Sequence, residues 1–265
     1  MTHTGQKGIP QTAVIYLLLL GIAALIYQST GDVIRAVTAV IAFTPCAYIL
    51  AGSAAAAGAE LSLARRGIFI RTGDVLTDLG RAEVIAFDTA LLCRTGSLDP
   101  AFPQTVSVLR RMGLHPVLRV DKDRETAAHI GAAAGISDLR TDAELTHAAG
   151  SSTPAAHVRS HQCAVHGSTL LLTLSGSNAS ADAMIRGGAL HKLPILVRMA
   201  RRTREKIEQN EIFGNTLGFI GVGLAAAGIL SPVSAVLWHL ATALILLLNA
   251  AGLCAVGARE KKFAF

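Results

Sequence analysis

Cys46 follows Thr44 and Pro45 near the middle of an apolar stretch from Ala36 to Ala59. Proline removes one helical hydrogen bond and frees a carbonyl, and a cysteine thiolate favours soft metals such as Cu(I) or Zn. A polar kink at bilayer depth therefore reads as a candidate ion site, or else as a kink beside a buried, inert thiol. His239 lies in a second apolar stretch, where an imidazole usually faces the bundle interior, so Cys46 and His239 are a candidate two-ligand soft-metal pair. The competing reading of His239 is an interfacial histidine beside Trp238, hydrogen-bonded to a backbone carbonyl. A third locus is Asp88, which ends the strand-like run Val84-Ile85-Ala86-Phe87-Asp88 and is followed by Arg94-Thr95-Gly96-Ser97. Asp88 and Asp121, at strand ends, are either cation ligands or solvated sheet-end residues. His157, His161, Cys163 and His166 have zinc-compatible spacing without a known zinc-motif order, which favours a polar histidine-rich loop.

Elements able to position these groups follow from composition. The chain has 265 residues, of which 51% are hydrophobic and 16% charged, and its mean hydropathy is +0.48. That is too apolar for a soluble domain and implies an integral membrane protein of the inner or plasma membrane. Four stretches approach the roughly 17 to 25 residues that span hydrocarbon: Gln11 to Tyr27, Val33 to Ala59, Ile212 to Leu230 and Pro232 to Val256. The first is kept as a span and not a signal peptide, because no small-residue cleavage pattern closes it. Basic residues cluster after the second span (Arg65, Arg66, Arg71), before the third (Arg201, Arg202, Arg204, Lys206) and after the fourth (Arg259, Lys261, Lys262). Both termini and the middle segment are therefore expected in the cytoplasm. The net charge of +6 sits at these flanks, which suits contact with anionic membrane lipid and argues against nucleic acid. Cys46, Cys93, Cys163 and Cys254 contain no CxxC pair and are read as free thiols or ligands.

The layout is a first helical hairpin over 1–60, a cytoplasmic α/β domain over 61–210, and a second hairpin with a basic tail over 211–265. Gly67 to Arg71, Val84 to Asp88, Pro116 to Val120 and Thr169 to Leu174 read as strands; Gln104 to Met112, Arg124 to Ala134 and Ala179 to Leu190 read as helices. Alternation of this kind implies a small parallel doubly wound sheet, with chemistry at the carboxyl ends of its strands. Ala148 to Ala156 reads as a loop. Gly214-Asn215-Thr216-Leu217-Gly218 offers small residues for close helix packing, and Arg35 can snorkel to the outer interface.

In order and spacing these pieces resemble the carboxyl-terminal half of a heavy-metal-translocating P-type ATPase. Thr44-Pro45-Cys46 stands where the family has a Cys-Pro-Cys-type motif, Arg65-Arg66-Gly67-Ile68 matches its Arg-Gly-Ile segment, and Asp88 falls where its phosphorylated aspartate stands. Arg124-Glu125-Thr126-Ala127, Lys206-Ile207-Glu208-Gln209-Asn210, Gly228-Ile229-Leu230-Ser231-Pro232 and Leu248-Asn249-Ala250 continue the match. The resemblance implies four transmembrane helices with a reduced haloacid-dehalogenase-like α/β domain. It also places His239 where the family often has a membrane methionine, Thr242 where it has a serine, and Leu217 and Gly218 where it has a Tyr-Asn ligand pair.

Departures from the family decide the expected function. Its aspartate runs straight into Lys-Thr-Gly-Thr, because a phosphoryl acceptor needs a lysine, magnesium and amides around one phosphate. Here Thr89, Ala90, Leu91, Leu92 and Cys93 intervene before Arg94-Thr95-Gly96-Ser97, and the alternative register puts Cys93 in the aspartate's place. The TGD motif is replaced by Val120-Asp121-Lys122, and the magnesium motif falls on Ser175 to Ser180, where Gly176 and Ser180 replace its acids. About a dozen residues between Leu98 and Arg110 leave no room for a nucleotide-binding domain, and nothing before Gln11 supplies an actuator domain. The expectation is a pseudoenzyme that holds neither Mg nor ATP productively and handles a soft metal cation as a subunit or regulator. Its partner would be a complete transporter or a metalloprotein assembly system. The alternatives are an active cation-transporting ATPase component phosphorylated on Asp88 with partner-supplied domains, and a structural membrane scaffold.

Overall fold

The computed structural model describes residues 11–43, 46–89, 100–120, 124–141, 144, 155–159, 170–173, 182–186 and 189–259. They divide into two compact units, one formed by Met1–Ala55 with Lys206–Gly252 and the other by Ala56–Glu205 with Leu253–Phe265.

The first unit is built from apolar helices. Helix α1 (Gln11–Thr30) has no charged residue and buries Leu19, Ala23 and Ile26 along one stripe, while Leu17, Leu18, Leu20 and Leu25 stay exposed. That is the pattern of a helix with lipid on its other sides. Its end is closed by Ser29 and Thr30, whose hydroxyls donate to the Ile26 carbonyl at 3.1 and 2.6 Å. Asp32 then caps α2 (Val33–Ala42), accepting from the amides of Ile34 and Arg35 at 2.8 and 3.4 Å. Leu19, Ile26, Ala39, Phe43, Val222 and Ala225 form the core of this unit.

The expected second span, Val33 to Ala59, is not one helix. Phe43 leaves α2 in an extended conformation (φ −106°, ψ 95°), and α3 (Cys46–Ala64) starts afresh. A kink was expected at Thr44-Pro45, which lie outside the described residues; α2 ends before them and α3 begins after them, and a residue preceding proline disfavours the α region. Among the described residues two helices are long and apolar enough to cross a bilayer, over Ala13–Thr30 and Pro232–Gly252; Val33–Ala42 and Ile49–Ala64 are shorter apolar helices. The segment expected as the third span is the last part of a helix of 34 residues, Leu193–Ala226.

The second unit is an α/β fold. Its strands are β1 (Ile68–Ile70), β2 (Val84–Asp88), β3 (His115–Arg119), β4 (Leu139–Arg140), β5 (Ala155–Arg159), β6 (Leu170–Thr173) and β7 (Ala183–Ile185), in spatial order β1-β7-β6-β5-β2-β3-β4. All pairs are parallel except β1 with β7. The helices are α4 (Gly73–Arg81), α5 (Phe102–Arg111), α6 (Arg124–Ala134) and the start of α7 (Leu193–Ala226); α8 (Pro232–Arg259) belongs mainly to the first unit. Each buries a helical stripe: Phe102, Thr105, Val106 and Leu109 on α5, Ala127, Gly131 and Ala134 on α6, and Leu193, Leu196, Val197 and Ala200 on α7. Gly80 of α4 permits a close approach, since a Cβ there would lie 2.9 Å from the Ala200 carbonyl oxygen.

Strand β7 corrects the expected helix from Ala179 to Leu190. Pairing with β1 along Ala183-Met184-Ile185 and with β6 at Ala183 and Met184 satisfies the backbone and overrides the helical preference of Ala and Met. Strand β5 likewise begins inside the expected loop Ala148 to Ala156.

Candidate functional site

In parallel doubly wound sheets a ligand crevice opens at the carboxyl ends of strands where the strand order reverses. Here β2 is that strand: the chain proceeds from β2 to β3 and β4 on one side, then returns to β5 and β6 on the other. Asp88 is the last residue of β2, so topology places it at the switch point. It is 9% exposed, and in the ladder its partner is Arg119, itself 5% exposed. The Arg119 Nη2 donates to Asp88 Oδ2 at 3.3 Å. Strand register thus sets a guanidinium beside the carboxylate. Arg119 escaped the reading of the sequence, although aligning Val84–Asp88 with His115–Arg119 residue by residue would have set the two side by side.

Chemically this is a carboxylate paired with a buried cation. A phosphoryl acceptor needs a free lone pair and mobile counter-charge from metal and lysine. A buried arginine is a permanent cation, and here it donates one hydrogen bond to one oxygen of a carboxylate that can accept about four. Cys93, Arg94 to Ser97, Asp121, Lys122 and Ser175 to Ser180 lie outside the described residues. At the β4 side of the sheet the other charges are also engaged. Asp138 accepts from the Arg140 guanidinium at 2.8 Å and raises its pKa. The Thr141 amide and hydroxyl donate to Glu144 at 2.7 and 3.0 Å, holding its carboxyl below the usual range.

The helical unit holds the second locus. Cys46 is the first residue of α3, immediately after the break; its side chain, with Thr44 and Pro45, lies outside the described residues. His239 is half-buried on α8. Its neighbour Trp238 donates Nε1–H to the Leu217 carbonyl at 3.1 Å, and the buried Thr242 hydroxyl donates to the Trp238 carbonyl at 3.0 Å. Gly218, at the expected position of a ligand asparagine, is buried under the Phe43 ring, which a Cβ would overlap. Among the described residues no three of His, Cys, Asp and Glu gather into a metal-holding group. Of the histidine-rich segment, His157 falls on β5, whereas His161, Cys163 and His166 lie outside the described residues.

Polar groups elsewhere in this unit are mostly paired. Arg35 forms an ion pair with Asp32 at 3.3 Å and donates to the Ala226 carbonyl at 3.4 Å, so it caps the end of α7 besides reaching the helix end. Lys206 Nζ donates to Asn249 Oδ1 at 2.9 Å, and Asn249 Nδ2 donates to Asn210 Oδ1 at 2.8 Å, which ties α7 to α8.

No family model matches the chain. Over 88 residues, a third of its length, it is 35% identical to a zinc-exporting P-type ATPase of Mycobacterium marinum and to manganese-exporting P-type ATPases of Mycobacterium bovis and Mycobacterium tuberculosis. In three dimensions 92% of the chain superposes on a crystal structure of a zinc-transporting PIB-type ATPase, with a TM-score of 0.75 at 15% identity. A zinc-transporting PIB-type ATPase in a second conformational state gives 0.68 over 91% of the chain, again at 15% identity. The chain is similar to heavy-metal P-type ATPases, in sequence over a third of its length and in fold over nearly all of it. It spans 62% of those solved ATPase chains, and the matched segment is only 11–12% of the curated ones. The ATPase fold therefore extends over nearly the whole chain, at an identity where fold alone is shared.

Proposed function

We propose that this protein is a degenerate P-type ATPase-like membrane component that binds a soft or borderline metal cation without turning over ATP. Its kinship to metal-exporting ATPases supports a role related to metal transport. The single observation that favours loss of turnover is the buried Asp88–Arg119 pair at the switch point of the sheet. In this reading Cys46 and His239 are the cation ligands, four helical segments span the membrane, and both termini and the α/β unit face the cytoplasm. A complete transporter or a metalloprotein assembly system would be the partner, with membrane lipid around the helices.

Metal content of the purified full-length protein tests this. Wild type is expected to retain Zn2+ or Cu(I) through dialysis. Altering groups that merely orient a metal ligand costs about 10–100-fold in affinity, so Cys46→Ala is expected to lose at least that much, and His239→Ala a comparable amount. Equal retention by all three proteins would leave only a scaffold. The rival reading, an active ATPase component phosphorylated on Asp88, draws support from the position of that carboxylate at the end of a central strand.

A further inference from the structure

Four cations gather at the edge strand β1, two from each of two distant stretches of chain. Helix α3 is apolar from Ile49 to Ala64 and hands over directly to Arg65 and Arg66, which lead through Gly67 into β1. Strand β7 pairs antiparallel with β1, and the Arg186 amide donates to the Gly67 carbonyl at 2.8 Å, so the register sets Arg186 beside Gly67. Lys192 ends a 3-10 turn over Leu190–Lys192 and donates from Nζ to the Arg66 carbonyl at 2.9 Å. Gly67, at φ +75°, leaves room for both, since a Cβ there would lie 3.5 Å from Lys192 Nζ and 3.7 Å from Arg186 Cβ.

Carboxylates do not neutralise this cluster. Asp182, at the start of β7, is bonded to Arg71 at 2.9 Å. Arg186 is exposed, its guanidinium held over the Phe69 ring at 5.3 Å from the centroid. Among the described residues no carboxylate lies within ion-pair reach of Arg186 or Lys192. The Lys192 ammonium has three donors and gives one to the Arg66 carbonyl, while Arg186 presents five in a planar fork. A fork beside a point charge suits the clustered oxygens of a phosphate group. Basic clusters placed where an apolar helix ends recognise anionic lipid. We infer that Arg65, Arg66, Arg186 and Lys192 form a binding site for the phosphate of an anionic phospholipid headgroup. Only Arg65 and Arg66 stand out in the sequence as flanking an apolar run; the β1–β7 register brings in Arg186, and the bond to Arg66 brings in Lys192 from 126 residues away. The site is separate from the proposed metal ligands and does not depend on them.

The test titrates the full-length protein in detergent with short-chain phosphatidylglycerol, phosphatidylcholine or inorganic phosphate and counts bound molecules by native mass spectrometry. Wild type is expected to take up phosphatidylglycerol in preference to phosphatidylcholine. A cation at an anionic lipid contributes about fivefold in binding, so Arg186→Ala is expected to weaken phosphatidylglycerol by about that factor and Arg186→Ala with Lys192→Ala by about twentyfold. Arg111→Ala, which removes an exposed charge at the end of α5, is expected to bind as wild type does. Equal uptake of the two lipids by wild type, or equal weakening by Arg111→Ala and Arg186→Ala, would overturn the site. Inorganic phosphate bound as tightly as phosphatidylglycerol would overturn its assignment to a lipid. Lys192 also holds the Arg66 carbonyl, so if the double variant misfolds, Arg186→Glu decides: unchanged phosphatidylglycerol affinity overturns the site, and a loss larger than that of Arg186→Ala upholds it.

Discussion

Replacing Arg119 with leucine is expected to destabilise the α/β unit by about 3–5 kcal/mol, because it strands a carboxylate in a buried position with its cation removed. Asp88 is 9% exposed at the end of an interior strand, where its ladder partner is Arg119. The double variant Asp88→Asn with Arg119→Leu is expected to recover most of that loss, since a neutral amide needs no counter-ion. Thermal unfolding of the wild type, the two single variants and the double variant forms a thermodynamic cycle. A coupling energy near zero would mean that the two groups do not sense each other.

The second large effect concerns the support of the same strand. Phe87, the residue before Asp88, meets Phe102 edge-on at 5.0 Å with the ring planes 82° apart, and neither ring is exposed. Phe102→Ala removes this contact and leaves a cavity beneath β2, for an expected loss of about 3–5 kcal/mol. Phe102→Leu, which keeps most of the volume, should cost clearly less. Unfolding midpoints of the two variants check the order, and equal losses would argue that Phe102 acts through the start of α5 and not through its contact with Phe87.

Much of the α/β unit was legible because its elements carry their own periodicity. Val84 to Asp88 and Arg124 to Ala134 are uninterrupted patterns bounded by turn residues, and they match β2 and α6 residue for residue. Helix α4 carried a signal that went unread: Val75, Leu76, Leu79 and Gly80 on one face, Asp74 in the first turn and Arg81 in the last. Strand β7 was beyond local reading, since Ala183-Met184-Ile185 becomes a strand only through its neighbours. The second span deceived in another way. Hydropathy runs on from Ala36 to Ala59, and composition alone does not show that one helix ends at Ala42 and another starts at Cys46. The candidate site was half legible: a carboxylate at a strand end announces itself, but Arg119 acquires meaning only from the parallel register that lays it beside Asp88.

That register also frames the choice between a metal-binding relative of the pumps and a working one. The catalytic carboxylate of a pump must be free to attack phosphorus and then carry a covalent phosphate beside magnesium. In this chain Oδ2 of Asp88, the residue proposed to stand at that position, accepts from the buried Arg119 guanidinium at 3.3 Å. Incubating the full-length protein with labelled ATP, magnesium and Zn2+ or Cu(I), followed by acid quench, tests this most directly. The account predicts no acid-stable, hydroxylamine-sensitive label, and no difference between wild type and Asp88→Asn. Label on wild type that Asp88→Asn abolishes would contradict it.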